Sequence, residues 1–263
     1  MPVAPWNPLL ESPPPHGHLV QLSGADEDCL TRNVSRYLLE GLKRRDGLVV
    51  IATPERRAAI VATLKEMGEQ PERAIRDGWL VMLDAEETLA RFMVDGQPDR
   101  KRFDASVGAL VRDFRARANY TGLRAYGEMV GVLWQRGENA AAIRLEEFWN
   151  ALLKTTDFSL YCGYPIDVFG KDFELGSLDA VLCNHTDLLP AGTNGDVESA
   201  INRAMDEILG DRVDEMRQLM KANYRPAWAT IPRGEALILW VRNNLPEYAD
   251  TILARAREYY KAA

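Results

Sequence analysis

Glu128 follows a run of strand-forming residues, Leu123 to Gly127, in the stretch "LRAYGEM". A carboxylate at the end of a buried strand is where a nucleoside triphosphatase keeps the acid that orients an attacking water. Carboxylates also cap helices and pair with arginines, and that structural use is the commoner one. The nucleotide reading needs a second part: a glycine-rich turn with a Lys for the phosphates and a Ser or Thr for Mg²⁺. The turn in question lies in "HLVQLSGADEDCL", residues 18 to 30, and it offers Ser23, Gly24 and Ala25 without a lysine. Asp26, Glu27 and Asp28 come next, where carboxylates suit a helix dipole and repel a phosphate. Phosphoryl chemistry is disfavoured on both counts.

Other chemistries fare no better. Ser23 sits in a strand-to-helix turn, yet "QLSGA" lacks the Gly-x-Ser-x-Gly elbow and no histidine closes a later strand. Cys29, Cys162 and Cys183 are an odd, widely spaced set that reads as reduced thiols, and His16, His18 and His185 are equally scattered. Cys183-Asn184-His185 offers two metal ligands, but nothing near them in sequence supplies a third and fourth at zinc-like spacing. No metal and no cofactor are therefore expected, and Cys162 is read as a small buried hydrophobe.

The elements that position these residues alternate between two periods. Residues 18–22, "LVVIAT", 79–85, 123–129 and 158–165 read as five strands. Between them lie amphipathic helices: one carries Leu30, Val34, Tyr37, Leu38 and Leu42, another enters at Thr53-Pro54 and stops near Gly68. A third opens at Asp104, and a fourth runs from about 138 to 154 with Leu145, Phe148, Trp149 and Leu152 on its apolar face. Such alternation predicts an α/β fold, a mostly parallel sheet flanked by helices. Ligands collect outside the carboxyl ends of such sheets. Here that ledge holds Ser23 and Gly24, Thr53, Asp84, Glu128 and Met129, and Tyr164. Arg124, Tyr126, Trp134, Tyr161 and Tyr164 are candidates to line a pocket for a small organic molecule, although alternation along strands turns half of them under the helices. Met82, Met93 and Met129 suit core filling.

Six prolines in the first fifteen residues predict an extended or disordered leader over residues 1–17. Beyond the strand and helix alternation of 18–190, "LPAGTNGD" (189–196) reads as a linker to an all-helical extension over 191–263. That extension carries a stripe of Val197, Ile201, Ala204, Met205, Ile208, Leu209, Met216 and Leu219, capped by Asp196, and two further helices over 233–244 and 246–261. The chain has 263 residues, 46% hydrophobic, and a net charge of −7, which argues against a broad nucleic-acid surface. No apolar run reaches membrane-spanning length and no secretory pattern opens the chain, so a cytoplasmic protein is expected.

Six pieces in order, "HLVQL", "LLEGLKRRDGLVVIATPE", "GWLVMLDAEETLARFMVDGQPD", "LRAYGEMVGVLWQRG", "AAIRLEEFWNALL" and "FSLYCGYP", resemble the MEDS domain. That family is named for methanogen and methylotroph proteins and the DcmR sensory regulator. The resemblance implies a RecA or KaiC-like core with a degenerate phosphate loop, used as a sensory module for small hydrocarbon derivatives. It maps the family's "GEM" onto Glu128 and Met129, and its Leu-Glu…Trp-Asn signature onto Leu145, Glu146, Trp149 and Asn150. No helix-turn-helix and no kinase module accompanies it here.

The expectation is thus a non-catalytic sensory protein that binds a small, apolar organic ligand and signals through its helical tail to a regulatory protein partner. Its ligand-binding set is Ser23, Gly24, Thr53, Asp84, Arg124, Tyr126, Glu128, Met129, Trp134 and Tyr164. Neither nucleic acid nor membrane is an expected partner. Two alternatives stand beside it: a divergent ATPase using Glu128 with an unusual lysine or arginine, and a ligand-free interaction module dimerising through 197–222.

Overall fold

The structure, a computed structural model, describes residues 6–117, 119–192, 196–216, 218 and 231–262. Its centre is a six-stranded sheet in which every pairing is parallel. The strands are β1 (His18–Leu22), β2 (Gly47–Ala52), β3 (Leu80–Asp84), β6 (Leu123–Gly127), β7 (Ser159–Tyr164) and β8 (Asp187–Leu189), in the order β3-β2-β6-β7-β1-β8. Met93–Val94 and Gln97–Pro98, β4 and β5, form a separate short hairpin. Five of the six strands are those the apolar runs predict. The sixth, β8, lies at the edge of the segment read as a linker, where three residues are too few to show a period.

Helices cover both faces, and the strands divide their side chains accordingly. Leu48, Val50 and Ala52 of β2 join one core while Val49 and Ile51 join the other. In β7, Tyr161 faces the first core and Leu160, Cys162 and Tyr164 face the second. Burial on both sides explains why β2 reads as one continuous apolar string. The first face is covered by α1 (Asn7–Glu11), α2 (Glu27–Arg44) and α3 (Pro54–Glu66), with α4 (Pro71–Arg76) beside β3. The second carries α5 (Ala85–Ala90), α6 (Arg100–Phe103), α7 (Ala109–Arg115), α8 (Met129–Gln135), α9 (Asn139–Leu153) and α10 (Leu175–Cys183). A π-helical turn, Asp104–Gly108, joins α6 to α7.

The connections define where the sheet leaves a crevice. From β2 the chain moves outward to β3, whereas from β6 it moves the opposite way to β7. Adjacent parallel strands whose connections diverge leave a crevice at their carboxyl ends. That crevice lies between Thr53 and Glu128.

Two expectations about the chain ends change. The proline-rich leader contains the α1 turn, and its Leu10 is fully buried in the first core; residues 1–5 lie outside the described set. The helical extension shares the second core with the sheet, since Val197, Ile201, Ala204, Met205 and Leu209 of α11 (Asp196–Leu209) are buried there. The stripe read as a dimer face is covered from within over that stretch by the C-terminal helix, Pro246–Lys261. Its Leu219 and residues 220–222 lie outside the described set, as does the side chain of Asp196.

Glu235 fixes the penultimate helix, Arg233–Asn244, to the end of β8: its carboxylate accepts a 2.7 Å hydrogen bond from the Ala191 amide. Burial pushes this carboxyl above its ordinary value, and the two backbone donors near it offset only part of the effect. A carboxyl that is a weaker acid in the folded chain makes folding less favourable as pH rises above its unfolded value of about 4.3. Glu235→Gln keeps an acceptor for Ala191 and removes the titration. It is expected to raise the melting temperature near pH 7 and to leave it unchanged near pH 4, measured by thermal unfolding at both values.

Candidate functional site

The crevice is a cleft of about 260 Å³ lined by the turn after β1, the start of α3, the start of α8 and the end of β7. Thr53 caps α3, its hydroxyl accepting from the Arg56 amide at 3.3 Å, with Pro54 at the first helical position. This entry points the first turn of α3, and so Arg56, into the cleft. Gly131 lets α8 press on β7: a side-chain carbon there would lie 2.6 Å from the Gly163 carbonyl oxygen. Gly24 meets the same constraint, since its side-chain carbon would come within 2.5 Å of the Asp167 amide nitrogen.

Arg56 organises the interior. Its Nε donates to Glu128 Oε1 at 2.6 Å, one terminal nitrogen donates to the Glu27 carbonyl and to Thr31, and the other pairs with the Glu27 carboxylate. Glu128 Oε1 also accepts from the Tyr126 hydroxyl at 2.9 Å, while Oε2 accepts from the amide and hydroxyl of Thr53 at 3.1 and 3.3 Å. Burial first, and then the adjacent Glu128 charge, push the Tyr126 phenol well above its ordinary value, so it stays a donor. Ser23 donates to the other oxygen of Glu27 at 2.9 Å. Three glutamates, Glu27, Glu55 and Glu128, and one arginine line the cleft, and no lysine is among the described residues that line it.

The expected ligand set is only partly assembled here. Ser23, Thr53 and Glu128 line the cleft, Gly24 lies beside it, and Tyr126 supports Glu128 from below. Met129 is fully buried in the second core, as is Tyr164, against which Trp134 packs edge-on at 5.5 Å. Asp84 caps α5 through the Glu86 and Glu87 amides and pairs with Arg57 at 2.9 Å, outside the cleft lining.

Arg124 is displaced furthest from its expected place. It lies at the amino end of β6 and points into the first core, where Nε donates to Asp46 at 2.9 Å. Its terminal nitrogens donate to the carbonyls of Leu10, Tyr37 and Glu11. It therefore holds the leader and lies away from this cleft, because strand position decides which end of the sheet a side chain reaches. Arg56 is the residue that sequence reasoning passed over; its place in the first turn after a strand end was the available signal.

A second polar cluster lies on the other face, away from the cleft. His18 of β1, Glu146 of α9, Cys162 of β7 and His185 before β8 are all buried, with one ligand-type atom from each within 4.8 Å of the others. His18 Nε2 is 3.3 Å from Glu146 Oε2 and 3.4 Å from Cys162 Sγ, and His185 Nε2 is 3.3 Å from Glu146 Oε1. Tyr164 donates to Glu146 Oε1 at 2.8 Å. Glu146 is fully buried between the imidazoles of His185 and His18. Burial and the nearby His18 lower the basicity of His185, and burial with Glu146 pushes the Cys162 thiol well up. The Cys183 and His185 pair suggested by sequence is divided: Cys183 is exposed while His185 is buried in this cluster. Cys162, read as plain core, is one of its members.

An all-parallel α/β protein with a small crevice at a topological switch point, and with no lysine among the described residues lining it, is the class that fold and cleft define. The model of the MEDS family, described as the methanogen/methylotroph, DcmR sensory domain, matches residues 17–186. The chain belongs to this family of sensory domains. Among curated proteins, none matches.

Arg124→Met leaves Asp46 buried without its guanidinium and frees the carbonyls of the leader. A loss of about 3–5 kcal/mol is expected in denaturant unfolding, as for other broken buried pairs. Faster proteolysis within residues 6–17 accompanies it.

Proposed function

We propose that this chain is a non-catalytic sensory module whose input is a small organic molecule bound in the cleft between β2 and β6. The observation that carries the reading is the engagement of Glu128. Both its oxygens are committed to Arg56, Tyr126 and Thr53, so the one residue placed to act as a general base is a neutralised structural carboxylate. Glutamates outnumber the arginine in the lining, which disfavours phosphates and other anions. Leu30, Val132 and Pro165 give the cleft an apolar wall. The ligand class is therefore a neutral or cationic molecule with an apolar body. The parallel sheet and the lysine-free turn after β1 support a nucleotide-binding ancestry whose phosphate site has been lost.

The route to an output runs through the loops beside the cleft. Gly24 abuts Asp167, and Asp167 pairs with Arg257 of the C-terminal helix. The Tyr260 hydroxyl of the same helix lies 3.5 Å from Asp26, and Arg242 of the penultimate helix donates to the carbonyls of Phe169 and Gly170. A ligand that binds one arrangement of these loops better than another shifts the tail with it.

The test combines native mass spectrometry of the freshly purified chain with calorimetry. A small organic mass is expected on the wild type and absent from Gln135→Trp, which fills the mouth of the cleft from an exposed position. The melting temperature of the unliganded variant stays unchanged, and millimolar Mg-ATP gives no heat. ATP hydrolysis that Glu128→Gln abolishes overturns the reading.

A further inference from the structure

We infer that His18, Glu146, Cys162 and His185 form a closed four-ligand site for a transition-metal dication, with Zn²⁺ the ion that the donor set fits best. This inference is independent of the cleft and of what it binds.

Proton accounting carries the argument. His185 Nδ1 lies 2.6 Å from the Val181 carbonyl oxygen, which can only accept, so Nδ1 bears the proton. Asn150 donates its amide nitrogen to the Asn184 carbonyl at 3.0 Å, which fixes its orientation and turns its oxygen toward His18 Nδ1 at 2.9 Å. His18 Nδ1 is therefore the donor in that contact. With the proton on Nδ1, the neutral form of each imidazole aims the lone pair of Nε2 at a Glu146 oxygen 3.3 Å away. His185 Nε2 is buried and has no hydrogen-bond partner among the described residues. Lone pairs facing a carboxylate in a dry interior are costly unless a cation lies between them.

Distances and charge agree. A tetrahedral centre with metal–nitrogen and metal–oxygen bonds of about 2.0–2.1 Å and a metal–sulfur bond of about 2.3 Å needs donor separations of about 3.3–3.6 Å. Four of the donor separations are 3.3, 3.3, 3.4 and 3.9 Å, counted to the two oxygens of Glu146, and all the donors lie within 4.8 Å of one another, so a closing movement of the side chains completes the set. One thiolate and one carboxylate balance a dication. A thiolate with two imidazoles selects a borderline ion and excludes Ca²⁺ and Mg²⁺. The outer partners are those that orient metal ligands in general: Asn150 on His18, the Val181 carbonyl on His185 and Tyr164 on Glu146. With four protein ligands, all buried, the site keeps no position for a substrate and suits a structural or metal-responsive role. It would tie β1 and α9 to the turn that enters β8, the edge strand from which the helical tail departs.

The experiment uses the full chain, reduced and kept anaerobic, stripped with chelator and titrated with Co²⁺ as a spectroscopic probe. One Co²⁺ per chain is expected, with tetrahedral visible bands and a sulfur-to-cobalt charge-transfer band, both erased by Zn²⁺. Cys162→Ser is expected to lose the charge-transfer band, and His185→Gln to bind at least tenfold more weakly. Should these variants fail to fold, X-ray absorption of the wild type loaded with Zn²⁺ decides: a shell of one sulfur with nitrogen and oxygen neighbours supports the site. An octahedral Co²⁺ spectrum without charge transfer, a Zn²⁺ shell without sulfur, or no binding by the folded wild type overturns it.

Discussion

A sheet covered on both faces has no water to offer the polar groups it carries, and Arg124, Glu128 and Glu146 answer to that constraint. Satisfying such groups from within is obligatory, because an unpaired buried charge costs several kcal/mol. The first face settles Arg124 with Asp46 and three backbone carbonyls, which anchors the leader across the amino end of the sheet. At the carboxyl end, the crevice between β2 and β6 would open onto a lone carboxylate, Glu128, were Arg56 not folded into it. The second face must settle Glu146, which is fully buried.

Glu128 and Glu146 show how environment separates two carboxylates of one fold. Glu128 receives a guanidinium, a phenol and a helix-capping threonine. Glu146 receives one phenol and two imidazoles. The former arrangement frames the cleft. The latter is a set of donors that a cation completes. Both lie close to segments that lead into the helical tail, the cleft through the loop at Asp167 and the buried cluster through β8.

How far each feature was legible follows from the range over which its signal acts. The strands β1, β2, β3, β6 and β7 and the helices α2 and α9 show themselves because a buried face repeats every two or every three to four residues. Thr53-Pro54 announces a helix entry within two residues, and the structure places the cap there. β8 stayed hidden because three residues carry no period, and its identity as a strand depends on β1 lying alongside. Arg124 was misplaced for a related reason: its strand was recognised, but the end of the sheet it serves depends on its position within that strand.

The sequence by itself determined the α/β class, the lysine-free turn at Ser23 to Ala25, the membership in a sensory family and the helical character of the tail, all properties written in local order. The tertiary structure alone decided that Arg56 closes on Glu27 and Glu128, and that residues 18, 146, 162 and 185 meet within 4.8 Å. The reason is physical. Periodicity fixes which face of an element is buried, whereas convergence of side chains far apart in sequence depends on strand order and register, and these are set only when the whole sheet is assembled.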